Sequence, residues 1–66
     1  MNILLNNKKE KISEGMTIEK LLNYKEIKNK YFAVEINEQV IPKSDHGSYI
    51  IKNGDKIEII TAIGGG

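Results

Sequence analysis

Residues 56–63, KIEIITAI, alternate along the chain: Ile57, Ile59, Thr61 and Ile63 fall on one side of an extended strand, and Lys56, Glu58, Ile60 and Ala62 on the other. A period of two is the signature of a strand with one buried face. Asn53-Gly54-Asp55 directly before it is a tight turn, since these residue types tolerate the backbone angles that turns require. The buried face needs a cover. Sixty-six residues make one small domain with a thin stability margin, and with no cysteine in the chain its cohesion must come from packing. The cover is found in Ile18, Leu21 and Leu22, whose i, i+3, i+4 spacing makes a single apolar helical stripe.

The remaining segments read as strands and turns. NILLN is a short apolar run closed by Asn6 and Asn7, and KEKIS after it returns as the second arm of a hairpin. Gly15 breaks that pattern, Thr17 serves as an N-cap, and Glu19 favours the positive end of the helix dipole, although Lys20 stands where a capping box wants Glu. After a polar, Lys-rich connection, YFAVEIN sets Phe32, Val34 and Ile36 against Ala33, Glu35 and Asn37. EQVIP is a short strand ended by Pro42, which suits a strand end or a sheet edge because it cannot donate to a ladder. KSDHGS reads as loop. The order is β-β-α-β-β-β, an α+β fold with one helix on one sheet, spanning residues 1–63 as a single domain and leaving residues 64–66 as a glycine tail.

Charge excludes several functions. Ten Lys against nine Asp plus Glu give a formal net charge of +1, and the lysines are scattered among acidic residues, which reads as a solvated face. The chain has no arginine, the usual bidentate reader of guanine and a common phosphate clamp, so nucleic acid is not an expected partner. No apolar stretch approaches the ~20 residues that cross a bilayer, and MNILLNN lacks the basic flank and apolar length of a signal peptide. The expected location is the cytoplasm, with no membrane partner.

Catalytic chemistry has little to work with. His46 is the sole histidine, lies in a polar loop and has no cysteine or second histidine for metal binding, so it is expected to be solvated. Ser13, Ser44 and Ser48 have no evident base and orienting group. Two features point outward instead. If Ile57 and Ile59 face the helix, Ile60 and Ala62 face away; Leu4 likewise faces away when Ile3 and Leu5 are inward. With first and last strands adjacent, Leu4, Ile60 and Ala62 would form a partner-docking patch beside the tail. Scattered surface apolar residues are an equal reading. The tail Gly64, Gly65 and Gly66 reaches at most about 10 Å when extended and carries no side chain to obstruct a narrow cleft, so it can present the Gly66 carboxylate to another protein. A frayed terminus is the other reading of the same glycines.

The length and element order, AVEINEQVIP in the middle, NGDKIEII before the last strand and AIGGG at the end together resemble the ThiS family of sulfur carriers in thiamine biosynthesis, over essentially the whole chain. The resemblance implies the ubiquitin-like β-grasp fold, a mixed sheet packed on one main helix. It also implies a carrier, not an enzyme: a ThiF-like adenylyltransferase uses ATP to convert the Gly66 carboxylate into an acyl-adenylate. A cysteine desulfurase relay supplies sulfur that turns it into a thiocarboxylate, and thiazole synthase takes that sulfur. No cofactor is expected to be bound by the chain itself. Two related functions share these features: the small subunit of molybdopterin synthase, which has the same Gly-Gly end, and a non-catalytic ubiquitin-like interaction module.

Overall fold

A computed structural model describes residues 1–27 and 32–61 of the chain. Part of the Lys-rich connection, together with Ala62, Ile63 and the three glycines, lies outside the described residues. The elements are strands β1 (Asn2–Leu5) and β2 (Lys8–Lys11), helix α1 (Ile18–Tyr24), strands β3 (Phe32–Ile36) and β4 (Gln39–Ile41), and strand β5 (Lys56–Thr61). They occur in the expected order. The segment read as plain loop after Pro42 contains a short 3-10 turn, Lys43–Asp45.

The five strands form one mixed sheet in the order β2-β1-β5-β3-β4. β1 pairs with β5 in parallel, and the other three neighbouring pairs are antiparallel. A parallel pair cannot be closed by a short turn, so the chain between β1 and β5 has to cross the sheet, and α1 lies in that crossover. The last strand therefore sits in the centre of the sheet, beside the first.

Both hairpins turn on two residues in the left-handed region. Leu5 pairs with Lys8 around Asn6 and Asn7, with φ of 49° and 68°. Ile36 pairs with Gln39 around Asn37 and Glu38, at 51° and 71°. Two positive φ values match the twist of an antiparallel pair, and asparagine enters that region more readily than most residues.

The helix is bounded at both ends. Thr17 Oγ1 accepts the Lys20 N–H at 3.2 Å, the expected N-cap. At the other end Ile27 N–H donates to Leu22 O at 3.0 Å and Glu26 N–H to Asn23 O at 3.1 Å, with Glu26 at φ 55°. That is the Schellman pattern, with glutamate where glycine is commoner. Ile18, Leu21 and Leu22 on the helix are buried against Ile3, Leu5, Val34, Ile36 and Ile57 of the sheet, with Ile12 and Ile51 closing the sides. The inner faces of β1 and β3 are those expected, with Phe32 packed against the core in part. Of the last strand's inner face, Ile57 is buried and Ile59 is partly buried against the core, while Ile63 lies outside the described residues. No helix among the described residues is long and apolar enough to cross a membrane.

Candidate functional site: the last strand and its outer face

The turn before β5 is held by more bonds than a surface turn needs. Gly54 takes φ of 87°, which a side chain rarely tolerates, and its N–H donates to Asn2 O at 2.7 Å. Asn53 Oδ1 accepts the Asn2 N–H at 2.7 Å, so the turn is tied to the start of β1. Asp55 reads in the sequence as a turn residue with a solvated charge; it is buried, at 7% exposure. Its carboxylate accepts the Lys52 N–H at 2.8 Å and the Asn37 side-chain N–H at 3.1 Å. Burial of a charge is tolerated where hydrogen bonds replace the lost water.

Asn37 extends this network into the strand: its N–H donates to Lys56 O at 2.8 Å and its Oδ1 accepts the Lys56 N–H at 3.0 Å. β5 thus begins from a fixed point.

Outward from the helix, β5 presents Lys56, Glu58 and Ile60. Lys56 Nζ and Glu58 Oε1 lie 3.8 Å apart, and Glu58 stands directly across from Glu35 on β3. Ile60 stands across from Ala33 and is 49% exposed, an uncovered apolar side chain near the end of the described strand. Val40 on β4, across from Glu35, is exposed as well. The expected grouping of Leu4 with Ile60 does not occur. Leu4 faces outward as expected, but its neighbour across the parallel register is Lys56. Ile60 lies four residues further along β5, about 13 Å at ~3.3 Å per residue, where β1 has already ended. The apolar neighbour of Ile60 is Ala33, and Ala62 lies outside the described residues, as do Gly64, Gly65 and Gly66.

His46 is a second correction. It is 6% exposed, because the 3-10 turn folds it inward with its ring 6.0 Å from that of Phe32. Its Nε2–H donates to Ile41 O at 3.0 Å, and its backbone carbonyl accepts the Glu19 N–H at 2.9 Å. The histidine ties the loop to β4 and to the first turn of α1. Ser48 Oγ donates to Asp45 O at 3.3 Å, within the same loop. Among the described residues no group of three or more His, Cys, Asp or Glu side chains is placed to hold a metal ion. The sequence patterns for a one-face strand and a helical stripe carry no sign of His46 or Asp55 burial; both depend on loops folding back.

The fold is the ubiquitin-like β-grasp, and its central strand leads in sequence to a terminal run of glycines. Comparison with known proteins makes the assignment narrower. The ThiS family model matches residues 2–66. The chain is 30% identical over 66 residues to the sulfur carrier protein ThiS of Escherichia coli, covering the whole of both chains. It is 36% identical over 66 residues to the thiazole synthase of Paramagnetospirillum magneticum, of whose length it spans 20%. Among solved structures, the crystal structure of thiamine biosynthesis protein ThiS from Geobacter metallireducens superposes with a TM-score of 0.87 at 28% identity, with 100% of each chain covered. The chain belongs to the ThiS family, sulfur carriers of thiamine biosynthesis, and by family it is a carrier and not a catalyst.

Proposed function

We propose that the functional group of this carrier is the α-carboxylate of Gly66. The observation that carries this reading is the family match, which runs through to residue 66. A carboxylate is a poor acyl donor until one oxygen becomes a good leaving group. A ThiF-like adenylyltransferase supplies this by joining a Gly66 carboxylate oxygen to the α-phosphorus of ATP, with release of pyrophosphate. A persulfide from a cysteine desulfurase relay then displaces AMP to give an acyl disulfide. A second thiol of the partner proteins cleaves its S–S bond, leaving as a disulfide, so that the net change at the acyl carbon is one oxygen exchanged for sulfur. The resulting thiocarboxylate needs no cysteine in the carrier, which has none.

Thiazole synthase is the acceptor in this reading. Support comes from the Paramagnetospirillum thiazole synthase, a fifth of whose length resembles this whole chain. Gly64 and Gly65 are the bare stalk that enters the partner's cleft, and Ile60 with Ala62 forms the contact beside it. Leu4 stands apart on the same face. ATP is bound by the adenylating enzyme and not by this chain, and the reactions belong to the cytoplasm.

The test is ATP–pyrophosphate exchange catalysed by the adenylating enzyme of the same organism. The full chain is expected to support exchange, and a chain lacking Gly66 to support none while melting at the same temperature, because glycine has no side chain to pack and, among the described residues, the buried core runs from Ile3 to Ile57. Equal exchange by the two chains would place the reacting carboxylate elsewhere.

A further inference from the structure

β5 is held on its two edges by two asparagines, each from a hairpin turn. Asn37 grips the start of the strand at Lys56 from the β3 side. Asn6 grips it further on, from the β1 side. β1 makes its last ladder pairing at Leu5 with Ile57, and the chain turns away at Asn6, at φ 49°. The Asn6 N–H donates to Ile57 O at 2.9 Å, and Asn6 Oδ1 accepts the Ile59 N–H, also at 2.9 Å. The carboxamide oxygen stands where the carbonyl of one more β1 residue would be, so it carries the parallel ladder one step past the end of its strand.

Past that point β5 has a neighbour on one side. Ile60 pairs with Ala33 and Thr61 with Phe32, both on β3, and β1 no longer runs alongside. Asn6 is therefore the last hold described on the β1 edge before the chain runs on to Gly66. The strand has other support, since β3 pairs with β5 from Ile57 to Thr61. The Asn6–Ile59 bond is also solvent-exposed, so water replaces it at little cost to folding. What the bond adds is direction: a strand held on one edge pivots more freely than one held on both.

We infer that Asn6 is a positioning residue for the carrier reaction: by holding Ile59 it sets the direction in which the last strand leaves the sheet, and so where the Gly66 carboxylate is delivered. The inference rests on the carrier function proposed above. It predicts a loss in the step after docking and not in docking itself, because the outward face around Ile60 is untouched.

Three variants of the full chain separate the contributions of Asn6. Asn6→Gly keeps the left-handed turn and removes the acceptor; Asn6→Asp keeps both; Asn6→Ser keeps a shorter acceptor that falls short of Ile59. Pyrophosphate release with the adenylating enzyme, at saturating ATP and varied carrier, is expected to show kcat lowered about fivefold in Asn6→Gly and Asn6→Ser, the value of one hydrogen bond, with KM nearly unchanged. Asn6→Asp is expected to restore kcat, and hydrogen exchange at the Ile59 amide should be faster in the first two variants only. Unchanged kcat in Asn6→Gly despite a fast-exchanging Ile59 amide would overturn the inference, as would a defect that Asn6→Asp shares. Loss of cooperative melting in both Asn6→Gly and Asn6→Ser would make Asn6 a residue of the fold and also overturn it. An unreactive wild-type chain beside a demonstrably active enzyme would instead refute the carrier function, and the inference with it.

Discussion

Asp55 shows how a residue read as turn chemistry can also be an anchor. Its two carboxylate oxygens accept from Lys52 N–H and the Asn37 carboxamide, while its backbone carbonyl accepts from Leu4 N–H at 3.0 Å. Asp55→Ala would remove two hydrogen bonds at a partly buried place, where the donors belong to exposed residues. The expected cost is about 1–3 kcal/mol in urea unfolding, with the slope of the transition unchanged. A loss within experimental error would mean that water enters the site and satisfies both donors. The NGD turn is legible as a turn because Asn, Gly and Asp are turn residues. The burial of its aspartate is not, since the donors come from residues 37 and 52 and no local pattern brings them together. His46 escapes the sequence for the same reason: a polar neighbourhood along the chain becomes a buried one when Phe32 and the 3-10 turn close over the ring.

At the scale of elements, the periodic segments are the legible ones. A period of two places β3 and β5, and an i, i+3, i+4 stripe places α1, because burial of one face imposes those spacings directly. Register is not legible. Nothing in NILLN states which residue of β5 stands beside Leu4, and pairing with Lys56 instead of Ile60 moves the apolar patch away from the first strand. Two predictions belong at this scale. Glu38 takes φ of 71° in the β3–β4 turn, a conformation that costs most residues about 1 kcal/mol, so Glu38→Asn is expected to raise stability by about 0.5–1 kcal/mol in thermal or urea unfolding. A destabilised Glu38→Asn would show that the glutamate side chain itself contributes there. Ile60 is half-exposed on the outer face, so Ile60→Asp is expected to leave the melting temperature within a few degrees and to raise KM for the adenylating enzyme roughly tenfold or more. If the variant unfolds, Ile60 belongs to the core and the docking face lies elsewhere.

For the molecule as a whole, the β-grasp arrangement puts the strand that leads in sequence to the glycines at the centre of the sheet. Among the described residues the fully buried core runs from Ile3 to Ile57, with Ile59 partly buried against it, and β5 continues from the middle of the sheet, clamped at Lys56 by Asn37 and at Ile59 by Asn6. With the chemistry proposed for Gly66, stability and reactivity are separated along the chain: the described core and sheet run from Ile3 to Thr61, and the reacting group lies beyond them in sequence. The measurement that tests this most directly is intact-protein mass spectrometry after incubation with ATP, the adenylating enzyme, the cysteine desulfurase with cysteine as sulfur source, and a thiol reductant. A mass gain equal to one oxygen exchanged for sulfur, localised by fragmentation to Gly66, is the predicted result. An unchanged mass beside an enzyme shown to be active, or a gain localised elsewhere in the chain, would contradict it.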